Sequence, residues 1–204
     1  MRVSTALGML IGVASGLSAF ASGAGTPKGW MIVGTGADHY TARVDTAVVH
    51  SGRGSGLLEC PTSGLDAFGA LMQVFLADDY RGRRIRLSGY LRTREPEYWA
   101  AHWMRVDGKD RSPLAFDNMT NDRLVRGDTE WTAYQIVLDV PVEAVQIAYG
   151  ATLAGSGRLW VDDLAVEVVG DDVPTTDLRQ PPVPAQAGST AGLPRKPFNG
   201  GFEE

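Results

Sequence analysis

The chain has 204 residues, and its 19 Lys and Arg residues are outnumbered by 24 Asp and Glu residues, giving a formal net charge of −5 at pH 7. An acidic chain lacks the basic surface on which nucleic-acid binding depends, so we expect no nucleic-acid partner. A single cysteine cannot form an internal disulfide, so Cys60 is expected to be a partly buried thiol or, alternatively, an intermolecular link.

The N-terminus has the layout of a secretory signal peptide. A short positive region at Met1-Arg2 precedes a small apolar run over 6–17, and Ala-Phe-Ala at 19–21 matches the small-residue pattern of a cleavage site. The alternative, a membrane anchor, needs about 20 strongly apolar residues, and this run is shorter and diluted by Gly and Ser. We therefore predict a signal peptide over 1–24, no membrane span after its cleavage, and a secreted or periplasmic protein.

The following residues show almost no helical periodicity. Short strand-like runs recur instead, separated by clusters of Gly, Pro, Asp, Asn and Ser, and this pattern is typical of an all-β sandwich or barrel. The predicted strands are Met31–Val33, Tyr40–Asp45, Gly56–Glu59, Phe68–Leu76, Arg84–Thr93, Trp99–Val106, Leu114–Met119, Trp131–Val140, Val145–Leu153 and Arg158–Val169.

Within several of these runs, apolar and polar residues alternate, as in a strand with one buried face. In one run Ile85 and Leu87 share one parity and Tyr90 has the other. In another, the apolar residues occupy the even positions from Phe68 and leave Gln73 on the opposite side. At about 1.5–3 kcal/mol per fully buried large side chain, such faces can stabilise a core without a disulfide.

The predicted β-domain covers 25–169, and the composition changes after it. Residues 170–198 are rich in Pro, Gly, Thr, Ala and Gln, which predicts an extended, semi-rigid linker. The chain then ends in the motif Asn-Gly-Gly-Phe-Glu-Glu at 199–204.

Several motifs resemble those of galactose-binding-like, jelly-roll carbohydrate-binding modules. They are Gly29-Trp30, the run from Tyr40 to Asp45, His-Ser-Gly-Arg-Gly-Ser at 50–55 and Trp-Val-Asp-Asp-Leu at 160–164. The segments at 80–92, 103–108 and 115–119 are similar to a bacterial subgroup of that superfamily, whose members occur fused to extracytoplasmic or regulatory regions. The resemblance spans roughly 29–169 and implies an antiparallel jelly-roll β-sandwich.

One departure from the family pattern concerns the C-terminal motif. Such modules usually begin with an Asn-x-x-Phe-Glu element, which this chain lacks after the signal peptide and carries at Asn199–Glu203 instead. The element is either the start of a second module or a strand that folds back to fill the first position, as in a circular permutation. The first explanation needs fewer assumptions.

The resemblance also implies a structural calcium ion. Asp162 or Asp163, Glu203 if it folds back, and carbonyl oxygens near Ser51 would supply the hard oxygen ligands that Ca²⁺ prefers. Alternatively, the two aspartates cap turns or accept hydrogen bonds from backbone amides.

The best candidate for a ligand site is an aromatic and polar sheet face. Trp103 and Arg105 share one strand face, Tyr90 and Arg92 share a face of an expected neighbouring strand, and flat rings beside polar side chains are typical of sugar-binding surfaces. We expect Gln73 and Asp117 to complete the rim of the site. Alternatively, Trp103 belongs to the core and Arg105 covers it.

The sequence gives little support for catalysis. Asp162 and Asp163 are adjacent on a strand, so their side chains are expected on opposite faces and cannot form an acid–base pair. Asp117 is expected to pair with Arg105 across the sheet. We therefore predict an exported, non-catalytic module that binds a glycan or a related polyhydroxylated ligand. The alternatives are a protein–protein interaction domain of the envelope, or an accessory domain of a hydrolase or regulator whose other region is absent.

Overall fold

A computed structural model describes residues 25–120, 123–177 and 189–204. The signal peptide predicted over 1–24 lies outside the described residues, as do 178–188 of the predicted linker. None of the helices among the described residues is long and apolar enough to span a membrane.

The described residues form a sandwich of two antiparallel, five-stranded sheets. The first sheet has the strand order β1-β4-β9-β6-β7, and the second has the order β2-β3-β10-β5-β8. This architecture confirms the predicted all-β jelly roll. The strands are β1 Met31–Val33, β2 Thr41–Asp45, β3 Ser55–Cys60, β4 Phe68–Leu76, β5 Arg83–Arg94, β6 Trp99–Asp107, β7 Pro113–Asp117, β8 Thr129–Val140, β9 Gln146–Ala154 and β10 Gly157–Val169.

The core lies between the two sheets and follows the alternation of the sequence. In β5, Ile85, Leu87 and Leu91 are fully buried, while Arg86, Ser88 and Tyr90 point away from the core. Cys60 also lies in the core, 2% exposed and unpaired. Large inward-facing side chains from both sheets fill this layer; they include Leu58, Leu71, Phe75, Met104, Ile136, Leu138, Ile147, Tyr149 and Val161.

The described parts of 170–198 contact β8, an edge strand of the second sheet, and the end of β4 in the first sheet. The backbone N–H of Thr176 donates to the carbonyl oxygen of Val137 in β8, and the N–H of Val137 donates to Thr176 Oγ1. Farther along the chain, the carbonyl oxygen of Pro194 accepts a hydrogen bond of 2.8 Å from the N–H of Leu76, at the end of β4.

The C-terminal residues pack against the sandwich. Phe202 is fully buried, and the carbonyl oxygen of Gly200 accepts a hydrogen bond from the N–H of Leu164 in β10. A Cβ atom on Gly56 would come within 2.4 Å of the Phe202 ring, so the missing side chain of this glycine leaves room for the ring. The element at 199–204 therefore contacts the domain that precedes it, while the predicted domain boundaries remain predictions.

Candidate functional site

The outward face of the first sheet combines small residues in its centre with polar residues on one side. Strand register places Trp103 opposite Gly150, and Gly150 opposite Met72. One step along the strands, Arg105 lies opposite Ala148. Side chains on this face point away from the inter-sheet core because residues of one parity in a strand share a face.

Trp103 is enclosed on this outward face, outside the inter-sheet core. It is 1% exposed and packs with Met72 and Ala148, with Met31 and Val74 alongside. The expectation of an exposed ring on which a sugar could stack is therefore wrong, and the ring is buried among apolar side chains, as the alternative expects. The tryptophan belongs to a second, smaller apolar cluster.

Two polar atoms on this face lack hydrogen-bond partners. Trp103 Nε1 and Thr152 Oγ1 are both buried and make no hydrogen bond with any of the residues 25–120, 123–177 and 189–204. Thr152 pairs with Ala101, two residues before Trp103 in the same strand, so the two side chains are diagonal neighbours. A buried polar group without a partner costs about 1–3 kcal/mol, so a hydrogen bond to either atom would be stabilising.

Beside them, Arg105, Asp107 and Gln146 form a buried polar network. Arg105 Nε donates to Asp107 Oδ1 at 2.6 Å, and Arg105 Nη2 donates to Asp107 Oδ2 at 3.0 Å. Gln146 Nε2 donates to the same Oδ2 atom, also at 3.0 Å. The three residues are 9%, 0% and 3% exposed respectively, so the network fixes the guanidinium against the sheet.

Tyr90 and Arg92 lie on the other side of the molecule. We expected β5 and β6 to be neighbours, but β5 belongs to the second sheet and β6 to the first. Tyr90 and Arg92 consequently point outward from the second sheet, and the structure does not bring them together with Trp103 and Arg105. The expectation fails because the chain crosses from one sheet to the other between consecutive strands.

A half-buried aromatic group surrounds Tyr90 on the outward face of the second sheet. The His50 ring stacks on Tyr90 with centroids 3.5 Å apart, and Trp131 meets His50 edge-on at 5.8 Å. Arg92 lies 6.0 Å from the centre of the Trp160 ring and 3.3 Å from a carboxylate oxygen of Glu130.

Gln73 and Asp117 also lie away from the Trp103 face. Gln73 points between the sheets, where its Oε1 accepts from the hydroxyl of Tyr149 at 2.8 Å and its Nε2 donates to the carbonyl oxygen of Phe198 at 2.7 Å. Asp117 is fully buried and accepts hydrogen bonds from Arg123 and from the N–H of Met119. Neither residue lies on the rim of the site, and Asp117 pairs with Arg123 rather than Arg105.

Asp162 and Asp163 hold the loop between β2 and β3. A β-bulge interrupts the β10–β5 pairing after Asp162, and Asp163 has a φ of 52°. Asp162 Oδ2 accepts from the N–H groups of His50 and Ser51, while Asp163 accepts from Ser51 Oγ and contacts His50 Nδ1 at 2.7 Å. The expectation that the two carboxylates serve opposite faces is therefore wrong, because the bulge breaks the alternation. Burial raises the pKa of Asp162.

The predicted calcium ligands are bound to N–H or O–H donors in this arrangement. Glu203 Oε1 accepts from the backbone N–H of Arg53 at 2.8 Å, and these contacts lower the pKa of Glu203. Among the described residues, no group of three or more His, Cys, Asp or Glu side chains is placed to hold a metal ion. The carboxylates as placed do not fit a calcium site, and calcium stays a prediction from the resemblance.

The polar network includes residues that sequence reasoning missed. Asp107 shares the parity of Trp103 and Arg105, which places it on the same face of the strand. In β9, Gln146 and Thr152 lie on the face opposite that of the apolar series that begins at Ile147. Parity alone would have placed them on one face, but the pairing of β6 with β9 was needed to bring them beside Arg105.

Comparison with known proteins supplies one sequence relative. No protein-family profile matches the chain. An uncharacterised HTH-type transcriptional regulator of Bacillus subtilis (strain 168), YbfP, is 38% identical over 178 residues, which make up 87% of this chain and 57% of the relative. The chain thus spans little more than half the length of that protein.

Solved structures share the fold at low sequence identity. The enzymatically active domain of bacteriophage CBA120 tailspike protein 4 superposes with a TM-score of 0.56 at 17% identity, over 71% of this chain and 20% of that one. The CBM22-1 xylan-binding domain of Paenibacillus barcinonensis Xyn10C gives a TM-score of 0.51 at 14% identity, over 71% of this chain and 88% of that one. Similarity at this level concerns the fold alone. The chain therefore has the jelly-roll β-sandwich fold of carbohydrate-binding modules, as its sequence predicts.

Proposed function

We propose that this chain is a non-catalytic binding module for a carbohydrate or a related polyhydroxylated ligand. The ligand contacts the outward face of the first sheet, around Trp103 and Arg105. The module tethers or senses its ligand without turnover. With the signal-peptide pattern at its N-terminus, we further propose that the protein works after export, in the periplasm or outside the cell.

One observation carries this proposal: two buried polar atoms on an outward sheet face have no hydrogen-bond partner in the part of the chain that the structure describes. Ligand hydroxyls would supply hydrogen-bond partners to Trp103 Nε1 and Thr152 Oγ1, and binding would recover the free energy that these unpaired atoms cost. The same face carries the Arg105 network within reach of further hydroxyls. Apolar surface with a few fixed polar groups is typical of small-molecule sites.

The enclosure of Trp103 has a consequence for how the ligand enters. Because both unpartnered atoms are buried, a ligand that reaches them must displace part of the chain that encloses them. Association that requires a conformational change is slower than the typical range of about 10⁵–10⁷ M⁻¹s⁻¹. We therefore expect slow association rather than rapid docking to an open platform.

A glycan-array screen of the protein, followed by calorimetry on the best sugar, tests the proposal. Trp103→Phe removes the indole N–H, and we expect it to weaken binding by about tenfold, the equivalent of about 1.4 kcal/mol. Trp99→Phe is the matched control, because Trp99 lies on the same strand, only partly buried, and its Nε1 is not among the buried unpartnered atoms. Folded protein that binds no sugar would overturn the proposal and favour a protein partner.

A second candidate function follows from the sequence relative. The 38% identity to part of an HTH-type regulator favours a role as the ligand-sensing region of a regulator. The two candidates differ in where the protein is found. Detection of the chain cut after the predicted signal peptide, in the periplasm or medium, supports the exported module, and an uncut chain recovered with the cytoplasm supports the regulator.

A further inference from the structure

The outward face of the first sheet carries very little charge. Of the outward-facing side chains on the described strands of this sheet, Arg105 and Asp107 are charged, and the others are apolar, small or uncharged polar residues. The second sheet differs, because the outward positions of β5 alone include the arginines Arg84, Arg86, Arg92 and Arg94.

The two charges on the first sheet neutralise each other. Asp107 accepts two hydrogen bonds from Arg105 in a bidentate arrangement and is fully buried. The hydrogen bond from Gln146 holds the carboxylate in place from the side of β9. A ligand on this face therefore meets a fixed ion pair with no net charge.

We propose that the ligand of this face is an uncharged polyhydroxylated molecule, and that uronic, sialylated, sulfated and phosphorylated glycans are rejected. The inference rests on the proposed function and narrows it to one class of ligand. A guanidinium has more N–H donors than Asp107 accepts, so Arg105 can still donate to hydroxyl oxygens. An anionic group would gain no net attraction there, because Asp107 lies beside the same donors and repels it.

The enclosed position of the pair strengthens this selection. An anionic ligand loses its hydration when it enters the face, and a neutral ion pair does not compensate for that loss. A hydroxyl loses much less hydration and still finds the Arg105 donors, Trp103 Nε1 and Thr152 Oγ1. The network of Arg105, Asp107 and Gln146 therefore favours the binding of uncharged ligands over anionic ones.

Matched pairs of oligosaccharides that differ only in oxidation at C6 provide the test. Glucan with glucuronan, galactan with galacturonan, and mannan with mannuronan oligomers of equal length are titrated by calorimetry, at about 20 and about 200 mM salt. We expect the neutral member of a binding pair to bind at least about tenfold more tightly, with an affinity that salt leaves unchanged. Tighter binding of the acidic member, or an affinity that falls with salt, would overturn the inference and leave the proposed function standing. Binding of neither member of any pair, together with no binding on the glycan array, would overturn the proposed function itself.

Two variants examine the role of the carboxylate. Asp107→Asn keeps the volume and removes the negative charge, so we expect uronate binding to appear or to rise about fivefold or more, with a new salt dependence. Asp139→Asn is the matched control, because Asp139 forms a similar bidentate pair with Arg84 on the second sheet. Unchanged selectivity in folded Asp107→Asn would contradict the inference. If Asp107→Asn does not fold, the comparison of neutral and acidic oligomers on the unaltered protein decides the matter.

Discussion

The Phe202 ring stacks on the indole of Trp30, with ring centroids 5.0 Å apart and an interplanar angle of 26°. Trp30 lies just before the first strand, and Phe202 is two residues from the end of the chain. Trp30 Nε1 also donates a hydrogen bond of 3.0 Å to the carbonyl oxygen of Asn199. The two ends of the described chain thus share one part of the core.

Replacement of Phe202 tests the energetic weight of this contact. Phe202 is fully buried in the main core, so we expect Phe202→Ala to lower the free energy of unfolding by about 3–5 kcal/mol. Phe198→Ala, at a ring that is 38% exposed, is the matched control and should cost less than half as much. Urea denaturation followed by circular dichroism measures both variants. Equal losses in the two variants would show that burial of the Phe202 ring contributes no more to stability than the partly exposed ring of Phe198.

The buried His102 should make stability depend on pH. Burial lowers the pKa of His102 from 6.5 to about 4, and its Nε2 has no hydrogen-bond partner among the described residues. As the pH falls below 6.5, His102 becomes protonated in the unfolded chain but stays neutral in the folded chain. The free energy of unfolding therefore decreases until about pH 4, where the folded chain is protonated as well. The loss over this interval is about 3 kcal/mol.

We expect His102→Leu to remove this component of the pH dependence. Urea denaturation of the variant and the unaltered protein at several pH values between about 7 and about 4 gives the difference in slope. His39→Gln is the control, because the His39 side chain is 45% exposed. Parallel pH profiles for His102→Leu and the unaltered protein would show that His102 does not titrate differently on folding.

Asp162 should contribute more to the stability of the folded protein than Asp163. It is fully buried and accepts hydrogen bonds from the N–H groups of His50, Ser51 and Asp163. Asp162→Asn replaces one acceptor oxygen by an N–H₂ group that faces N–H donors, at an expected cost of about 1–3 kcal/mol. Asp163→Asn, at a half-exposed carboxylate, should cost less than about 1 kcal/mol. Thermal unfolding of the two variants gives the order, and the reverse order would contradict the assignment.

Calcium should leave the melting temperature unchanged. The carboxylates of Asp162, Asp163 and Glu203 already bind donor groups of the protein, so neither added Ca²⁺ nor EDTA is expected to alter stability. Differential scanning fluorimetry with each additive checks this. A rise in melting temperature with Ca²⁺ that Asp162→Asn abolishes would instead support the calcium site that the resemblance implies.

The sequence predicted the strands well because alternation reports burial directly. The apolar series that contains Ile85 and Leu87 faces the core, as its parity requires. The even apolar series from Phe68 predicts the wrong core face, because in the structure it points outward and Leu71, Gln73 and Phe75 point inward. Because β4 has apolar residues at both odd and even positions, alternation does not identify which of its faces points to the core.

The site was less predictable because it depends on which strands pair. Alternation places Trp103 and Arg105 on one face, but no local pattern shows that β6 lies between β9 and β7 rather than beside β5. The bulge at Asp163, a non-glycine residue with positive φ, also leaves no clear local signal. Contacts between distant residues decide both features, and composition and periodicity carry no information about them.

The hydrogen bond from Leu76 to Pro194 bears on the solubility of this protein. β1 is only three residues long, so among the described strands the far end of β4 has no neighbour on that side. An unpaired stretch of strand is a template on which another chain can add and aggregate. The carbonyl oxygen of Pro194 occupies the N–H of Leu76, and proline has no N–H with which to extend the ladder. We therefore expect the tail to oppose self-association at this end of β4.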